Sequence, residues 1–365
     1  MGVVLRQRER PLKKARKSEF ILPLRQPGVL LEKMPRLSNF FHPRDPELGS
    51  EAYCRQAQRA EIESALRLIL ATEDGLAGDE AVLDFLAFAL QRKIDVNQIW
   101  IAETGSRIVW ALLPIASPGR TMLLFTPSRI PNATPIQSAR QLTERVCSHW
   151  SDQGMHMAQF LLDPKERSVQ ELYVSCGFEV LAELIYLQRA VREAPAAAFP
   201  AEFELTTYSP QTHAAFAQAI LKSYQGSLDC PLLNGRRNIE DVIGGHKAVG
   251  GFDPSQWYLA GERGQPLAVL ILSPAQHSDS VELVYLGVAP EARKRGLGDA
   301  MMRLALSSVL RLERSELSLA VDSKNTPALR LYYRHGMKRV SSRIAMVRDI
   351  REAANTVAGV PGSTV

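Results

Sequence analysis

The chain predicts a mixed α/β fold built twice in tandem. Each unit is a mostly antiparallel central sheet flanked by helices. Two observations carry this reading. The first is an internal repeat: LLDPKERSVQELYVSCGFEV, residues 161–180, aligns without a gap on AVDSKNTPALRLYYRHGMKR, residues 320–339. Asp163 falls on Asp322, Lys165 on Lys324, Tyr173 on Tyr332 and Gly177 on Gly336, always 159 residues apart. A fixed offset of this length marks a duplicated supersecondary unit. The second is the order of hydrophobic periods. In both halves helical patterns precede a run of strands, after which strands alternate with helices.

The elements follow in order. In the first half, residues 56–72 and 79–92 carry apolar side chains at three and four spacing and predict helices. Residues 99–103, 107–116 and 121–125 then read as strands rich in branched and aromatic side chains. In the second half, residues 212–224 predict a helix, and residues 257–262, 266–275 and 281–289 successive strands. Gly261-Glu262-Arg263-Gly264 reads as a hairpin turn. A helix opens at Asp299 and runs to about Leu312. A buried strand lies near residues 317–321, and a short helix ends at Gly336. The segment Glu193-Ala-Pro-Ala-Ala-Ala-Phe-Pro200 reads as a linker. The expected organisation is a basic extension over 1–45, a first domain over 46–192, the linker, a second domain over 201–350, and a flexible tail over 351–365.

At 365 residues, with 45% hydrophobic and 23% charged residues, the chain is long enough for two substantial cores. No apolar run approaches a membrane span. The N-terminus lacks the pattern of a signal peptide. Cys54, Cys147, Cys176 and Cys230 have no metal-ligand spacing and read as reduced thiols, so the composition fits a cytoplasmic protein without a metal. The net charge of +5 sits at one end. Residues 1–33 hold nine Lys or Arg and three Glu, a net +6, which leaves −1 for the remainder. The dense run at 6–17 is either an arm for nucleic acid or an anionic surface, or a disordered tail; it lies upstream of Met34, a second candidate start. No aromatic platform accompanies it, so the folded part is not expected to bind nucleic acid.

One turn concentrates the chemistry. VELVYLGVAPEARKRGLGDAMM, residues 281–302, is a strand, a turn and a helix start. The turn holds Arg293, Lys294, Arg295, Gly296, Leu297 and Gly298, and Asp299 opens the helix. The first N–H groups of a helix have no intrahelical partner, and glycines let a ligand approach them. With the helix dipole and three basic residues, the turn favours a phosphorylated cofactor.

With Asn325, Ala328, Tyr332 and Gly336 downstream, this turn resembles the GCN5-related N-acetyltransferases. In that family an arginine/glutamine-x-x-glycine-x-glycine/alanine loop holds the pyrophosphate of acetyl-CoA, here matched by Arg293, Gly296 and Gly298. The family's phenylalanine after the second motif's glycine is Met337 here. The likeness covers roughly residues 201–350. It implies acetyl-CoA as acyl donor, bound by Val288, by the loop from Arg293 to Asp299, and by Asn325 and Ala328. It implies transfer to an amine acceptor, a small molecule or a peptide, by direct attack on the thioester. A backbone N–H near Gly287-Val288 would meet the thioester carbonyl. Tyr332 is the candidate acid at the thiolate, and Tyr333 beside it falls outside the motif. Reference values put full proton transfer from phenol to thiolate uphill by roughly 1.5 units, about 2 kcal/mol, so Tyr332 can serve as a hydrogen-bond donor. Glu282, eleven residues before Arg293, is the candidate base, or else a polar residue on the strand's outer face.

The 159-residue offset places Thr134, Gln137 and Ala139 at the positions of Arg293, Gly296 and Gly298, and Glu166 at that of Asn325. The first half has therefore lost the loop, and Tyr173 reads as a packing remnant. One degenerate half in tandem with an intact one resembles the mycothiol synthase type of layout, which does not fix the substrate. Residues 223–257 are the expected acceptor segment, with Tyr224, Arg236 and Arg237 as candidate contacts and Asp229, Asp241 and His246 nearby. The paired arginines suit a carboxylate or phosphate. The alternative to an enzyme is an acyl-CoA-binding regulatory or scaffold protein without turnover.

Overall fold

The computed structural model describes residues 52–351 apart from 73–74, 131–133, 135, 195–198 and 277. The basic extension, the tail beyond residue 351 and the middle of the linker lie outside the described residues. The first half runs β1 (Tyr53–Gln56), α1 (Ile62–Ile69), α2 (Asp79–Gln91), β2 (Trp100–Thr104), β3 (Arg107–Ser117), β4 (Thr121–Phe125), α3 (Ile136–Asp152), β5 (Met157–Leu162), α4 (Arg167–Ser175) and β6 (Glu179–Ala190). The second half repeats the series: β7 (Glu204–Thr207), α5 (His213–Tyr224), α6 (Ile239–Ala248), β8 (Trp257–Glu262), β9 (Gln265–Pro274), β10 (Ser280–Val288), α7 (Leu297–Arg311), β11 (Glu316–Asp322), α8 (Thr326–Arg334) and β12 (Lys338–Asp349). The bounds of α8 and β12 lie 159 residues after those of α4 and β6 at both ends.

Alternation along each strand sorts side chains to two faces. In the first half Ile99, Ile101, Ala111 and Leu113 pack against α1 and α2. Trp100, Ala102, Trp110 and Leu112 face α3 and α4. The second half does the same, with Trp257, Leu259, Val269 and Ile271 against α5 and α6. Arg263 at φ +50° and Gly264 at φ +74° make the predicted hairpin, which needs two left-handed residues. The helix expected over 56–72 is shorter than its periodicity. Gln56 ends β1, and Gln58 and Glu61 form a capping box that starts a turn just ahead of α1.

The two sheets join as one sheet of twelve strands, in the order β1-β2-β3-β4-β5-β12-β6-β11-β10-β9-β8-β7. Pairing is antiparallel except for β4–β5 and β10–β11. The final strand of each half has crossed over: β12 pairs with β5 of the first half, and β6 pairs with β11 of the second. The exchanged strands meet along Lys338↔Gln188 to Val347↔Glu179. Arginines lock the exchange with matching geometry. Arg189 on β6 donates to the carbonyl of His335 at the end of α8, 2.6 Å. Arg348 on β12 donates to that of Cys176 at the end of α4, 2.7 Å, and pairs with Glu144. Both helices close on a left-handed glycine, Gly177 at φ +79° and Gly336 at φ +74°, which leaves their last carbonyls open to those guanidiniums.

Candidate active site

β10 and β11 run parallel side by side only from Ser280/Glu316 to Glu282/Ser318. Beyond that point β10 stays on β9 as far as Val288, while β11 stays on β6 as far as Asp322. A register shift between Leu283 and Tyr285 helps turn β10 away. A wedge therefore opens between the C-terminal ends of two parallel strands, where α/β folds expose backbone to ligands. The Ala289 N–H bonds back to the Leu267 carbonyl of β9, 2.7 Å. Alternation then turns the N–H of Val288 toward the wedge.

The turn after β10 is left-handed at Lys294, φ +62°, and at Gly296, φ +82°. The first bond within α7 is from the Ala300 N–H to the Gly296 carbonyl, 3.0 Å. The N–H groups of Leu297, Gly298 and Asp299 thus lie ahead of the helical ladder. A Cβ on Gly296 would meet nothing within 4 Å, and one on Gly298 only Leu331 at 3.5 Å. This is an open cradle of backbone donors, and it suits a pyrophosphate. The basic side chains divide their work. Lys294 is exposed and makes no ion pair among the described residues. Arg293 is turned inward, from Nη2 to the carbonyls of Ser223 (3.0 Å) and Gln225 (2.8 Å) and from Nε to that of Val288 (3.1 Å), tying the end of α5 to the loop. Arg295 pairs with Glu262 at 2.9 Å and lies over the ring of Phe203. Asp299 faces α8, accepting from His335 at 2.8 Å and pairing with Arg303 at 2.9 Å.

Asn325 caps α8, accepting the Ala328 N–H at 3.3 Å. The segment after α5 is strapped to the end of β11: the Asp322 N–H donates to Asp229, and the Cys230 N–H to Asp322, each 3.1 Å. Tyr332 lies on the buried face of α8 with 6% of its surface exposed. Burial, and then the charge of Asp229, raise its pKa. Tyr285 is raised mainly by burial, with smaller contributions from Tyr224, Asp229 and Tyr332. Its hydroxyl bonds to that of Ser223 at 2.5 Å, passing over Gly287, where a Cβ would lie 2.5 Å from Ser223 Oγ. Tyr285 and Ser223 belong to no motif. The isolated Gly287 in an apolar strand is the one sequence signal for this close approach.

The other candidates spread out. Glu282 sits where β10 and β11 still pair, opposite Ser273 and Ser318. Burial raises its pKa and the charge of Arg92 opposes that shift. Asp229, not Glu282, is the carboxylate whose charge reaches Tyr224, Tyr285 and Tyr332. Tyr224 stands edge-on to Tyr285 at 6.3 Å. Arg236 and Arg237 diverge: Arg236 pairs with Glu179 of β6 at 3.0 Å, while Arg237 donates to the Asp241 carbonyl at 3.1 Å. A shallow groove beside α5, lined by His213, Gln218, Leu221 and Glu240 among others, involves none of the predicted residues. Among the described residues no group of three or more His, Cys, Asp or Glu could hold a metal, and no helix is long and apolar enough to cross a membrane.

Residues 236–337, which span α6 to the end of α8, match the model of the acetyltransferase (GNAT) family. The chain is thus similar to the GCN5-related N-acetyltransferases over the part that carries the wedge and the loop before α7. Two curated relatives are similar over part of their length. The mycothiol acetyltransferase of Gordonia bronchialis is 35% identical over 99 residues, 27% of this chain and 32% of that protein. That of Jonesia denitrificans is 40% identical over 65 residues, 18% of this chain and 21% of that protein. The matches thus span a third or less of those relatives. A GCN5-related N-acetyltransferase from Sphaerobacter thermophilus has a similar fold, with a TM-score of 0.54 at 17% identity, over 82% of this chain and 96% of that one.

The wedge has a counterpart in the first half, where β4 and β5 pair from Thr121/Met157 to Leu123/Gln159. Here Tyr173 is fully buried, stacked on Phe160 with centroids 3.7 Å apart, and its hydroxyl bonds to Thr126. Thr134 occupies the Arg293 position and bonds to the Val109 carbonyl, and Ala139 is buried inside α3. Glu166 stands where Asn325 caps α8, but makes no side-chain cap. Burial, then the charge of Asp163, raise its pKa to about 7.

Proposed function

We propose that the protein transfers an acyl group from acyl-CoA, with acetyl-CoA the expected donor, to an amine acceptor, and that the chemistry occurs in the second half. The observation that carries this reading is the wedge. The Val288 N–H faces its opening, unpaired N–H groups of α7 begin beyond it, and Tyr332 borders it on α8. When bound, the thioester supplies the electrophile. Val288 then donates to the developing oxyanion, and Leu297, Gly298 and Asp299 donate N–H groups to the pyrophosphate beside Lys294. Arg293 acts by positioning α5. Tyr332 donates a hydrogen bond to the departing sulfur; its raised pKa suits that role better than full proton transfer. Glu282 and Asp229 are the carboxylates available to receive the ammonium proton. The curated relatives are named mycothiol acetyltransferases, which supports an acetyl donor and a small-molecule acceptor. The cysteines are unpaired, which fits the reducing cytoplasm. We assign the inert unit to about 46–192 and the acyl-CoA unit to about 201–350.

Calorimetric titration of acetyl-CoA tests the reading. Asn and Asp enter left-handed backbone more readily than other side chains, and the space at Gly296 is open, so Gly296→Asn and Gly296→Asp carry the same modest backbone strain. We expect one site per chain, weakened by at least about tenfold more in the Asp variant than in the Asn variant, because only Asp opposes the phosphate charge. Two sites would restore ligand binding to the first half. No binding would end the acyl-CoA reading. Bound acetyl-CoA that survives incubation with mixed amines would indicate a binding protein without turnover.

A further inference from the structure

Among the described residues Arg237 makes no ion pair. Its Nη2 donates to a backbone carbonyl, that of Asp241, and its Nε is buried with no partner. The Asp241 carboxylate is turned to Arg120, 3.6 Å away. The guanidinium is walled in by two glycines from different halves. A Cβ on Gly119, in the turn between β3 and β4, would lie 2.9 Å from Nη2, and one on Gly245 of α6 would lie 3.1 Å from it. Desolvation depresses its pKa, yet a guanidinium stays charged. A half-buried charge with neither ion pair nor full hydrogen bonding is costly to the fold.

His246, near the end of α6, leaves Nε2 buried and without a partner as well. Its ring packs on Tyr285, centroids 5.4 Å apart. Burial, reinforced by the charge of Arg237, lowers its pKa to about 4, so the ring is neutral at pH 7 and donates from one nitrogen. Both orphaned groups adjoin the Tyr224–Tyr285 pair: His246 packs on Tyr285, the charge of Tyr224 reaches Arg237, and that of Tyr332 reaches Tyr285. A water would satisfy the hydrogen bonds and leave the charge. A carboxylate satisfies both, since Nε and a neighbouring Nη form the two-donor edge that it prefers.

We propose that the acceptor amine carries a carboxylate, and that Arg237 and His246 hold it beside the Tyr224–Tyr285 pair. The proposal rests on the acyl-transfer reading and names its substrate class. Gly119, in the turn between β3 and β4, lies against the Arg237 guanidinium, which gives the catalytically inert half a part in acceptor choice.

Two measurements on the full chain, saturated with CoA, test it. Sodium acetate is titrated at constant ionic strength against chloride while the arginine Nε–H signals are followed by NMR. The Arg237 signal is assigned by its loss in Arg237→Lys. It should move saturably with acetate and stay fixed with acetamide; an unmoved signal overturns the proposal. This arm needs no turnover, so it decides the anion site even if acyl transfer fails. The second arm compares acyl transfer to β-alanine and to β-alaninamide, and to longer pairs of the same kind. Arg237→Gln and His246→Gln should lower kcat/KM for the acids by about tenfold or more, leaving the amides and the acetyl-CoA affinity within about twofold. Equal losses for acids and amides would reduce Arg237 to packing and overturn the proposal.

Discussion

Glu166 and His246 are titratable residues held away from their ordinary values in opposite senses. The pKa of Glu166 is raised to about 7, so the folded state holds its proton more tightly than the unfolded state does. The stability from this group is full below the ordinary carboxylate range and is lost as pH rises through 7. Discounted for partial exposure, the loss is on the order of 1–2 kcal/mol. Glu166→Gln should raise Tm at pH 8 and leave it unchanged near pH 4.5; a variant that melts like wild type at pH 8 would contradict the raised value. His246, lowered to about 4, works the other way, and its contribution fades as pH falls below 6.5. The catalytic assignments belong to this scale too. Tyr332→Phe should cut kcat by about tenfold or more with little change in acetyl-CoA affinity. An unaltered kcat would remove the phenol from the reaction. Asp229 acts on the three tyrosines of the wedge and Glu282 does not. Asp229→Asn should therefore lower kcat/KM by about tenfold or more, and Glu282→Gln should leave it within about twofold. The reverse result would make Glu282 the base.

Among the elements, the loop before α7 differs most from its motif. The resemblance assigns Arg293 to the pyrophosphate, yet its guanidinium holds the end of α5 and the Val288 carbonyl. Arg293→Gln should weaken acetyl-CoA binding by less than about tenfold while accelerating proteolysis within residues 225–238, because the lost bonds anchor that segment. Cleavage as slow as in wild type would return Arg293 to the cofactor. The legible parts of this fold share a cause. Amphipathic helices and alternating strands show in the sequence because burial repeats along them, and the 159-residue register shows because the duplication kept the turn residues of α4 and α8. The Arg-x-x-Gly-x-Gly turn is legible because backbone geometry demands glycine at position 296. What stayed hidden has no local period. β1 and β7 are four-residue edge strands. The Ser223–Tyr285 bond spans α5 and β10, and the orphaned Nε of Arg237 exists only once the turn at Gly119 closes over it.

For the molecule as a whole, the exchanged strands are the determining feature. β6 lies between β12 and β11, so neither half completes a sheet alone. The two should melt as one. Trp100, Trp110 and Trp150 report on the first half and Trp257 on the second, so Trp257→Phe isolates the first set. In urea its fluorescence midpoint should coincide with the loss of acetyl-CoA binding; separate midpoints would show halves that unfold independently. The exchange bears also on birth at the ribosome. β5 leaves the tunnel long before β12 exists, since their pairing joins Leu162 to Ile344. At roughly 5–20 residues per second, the nascent first half waits about 10–40 s with an unpaired edge. Such an edge invites pairing with a neighbouring nascent chain on the same message. Crowded translation is therefore the moment at which this protein is most exposed to misassembly, and the second half, by delivering β12, acts as chaperone to the first.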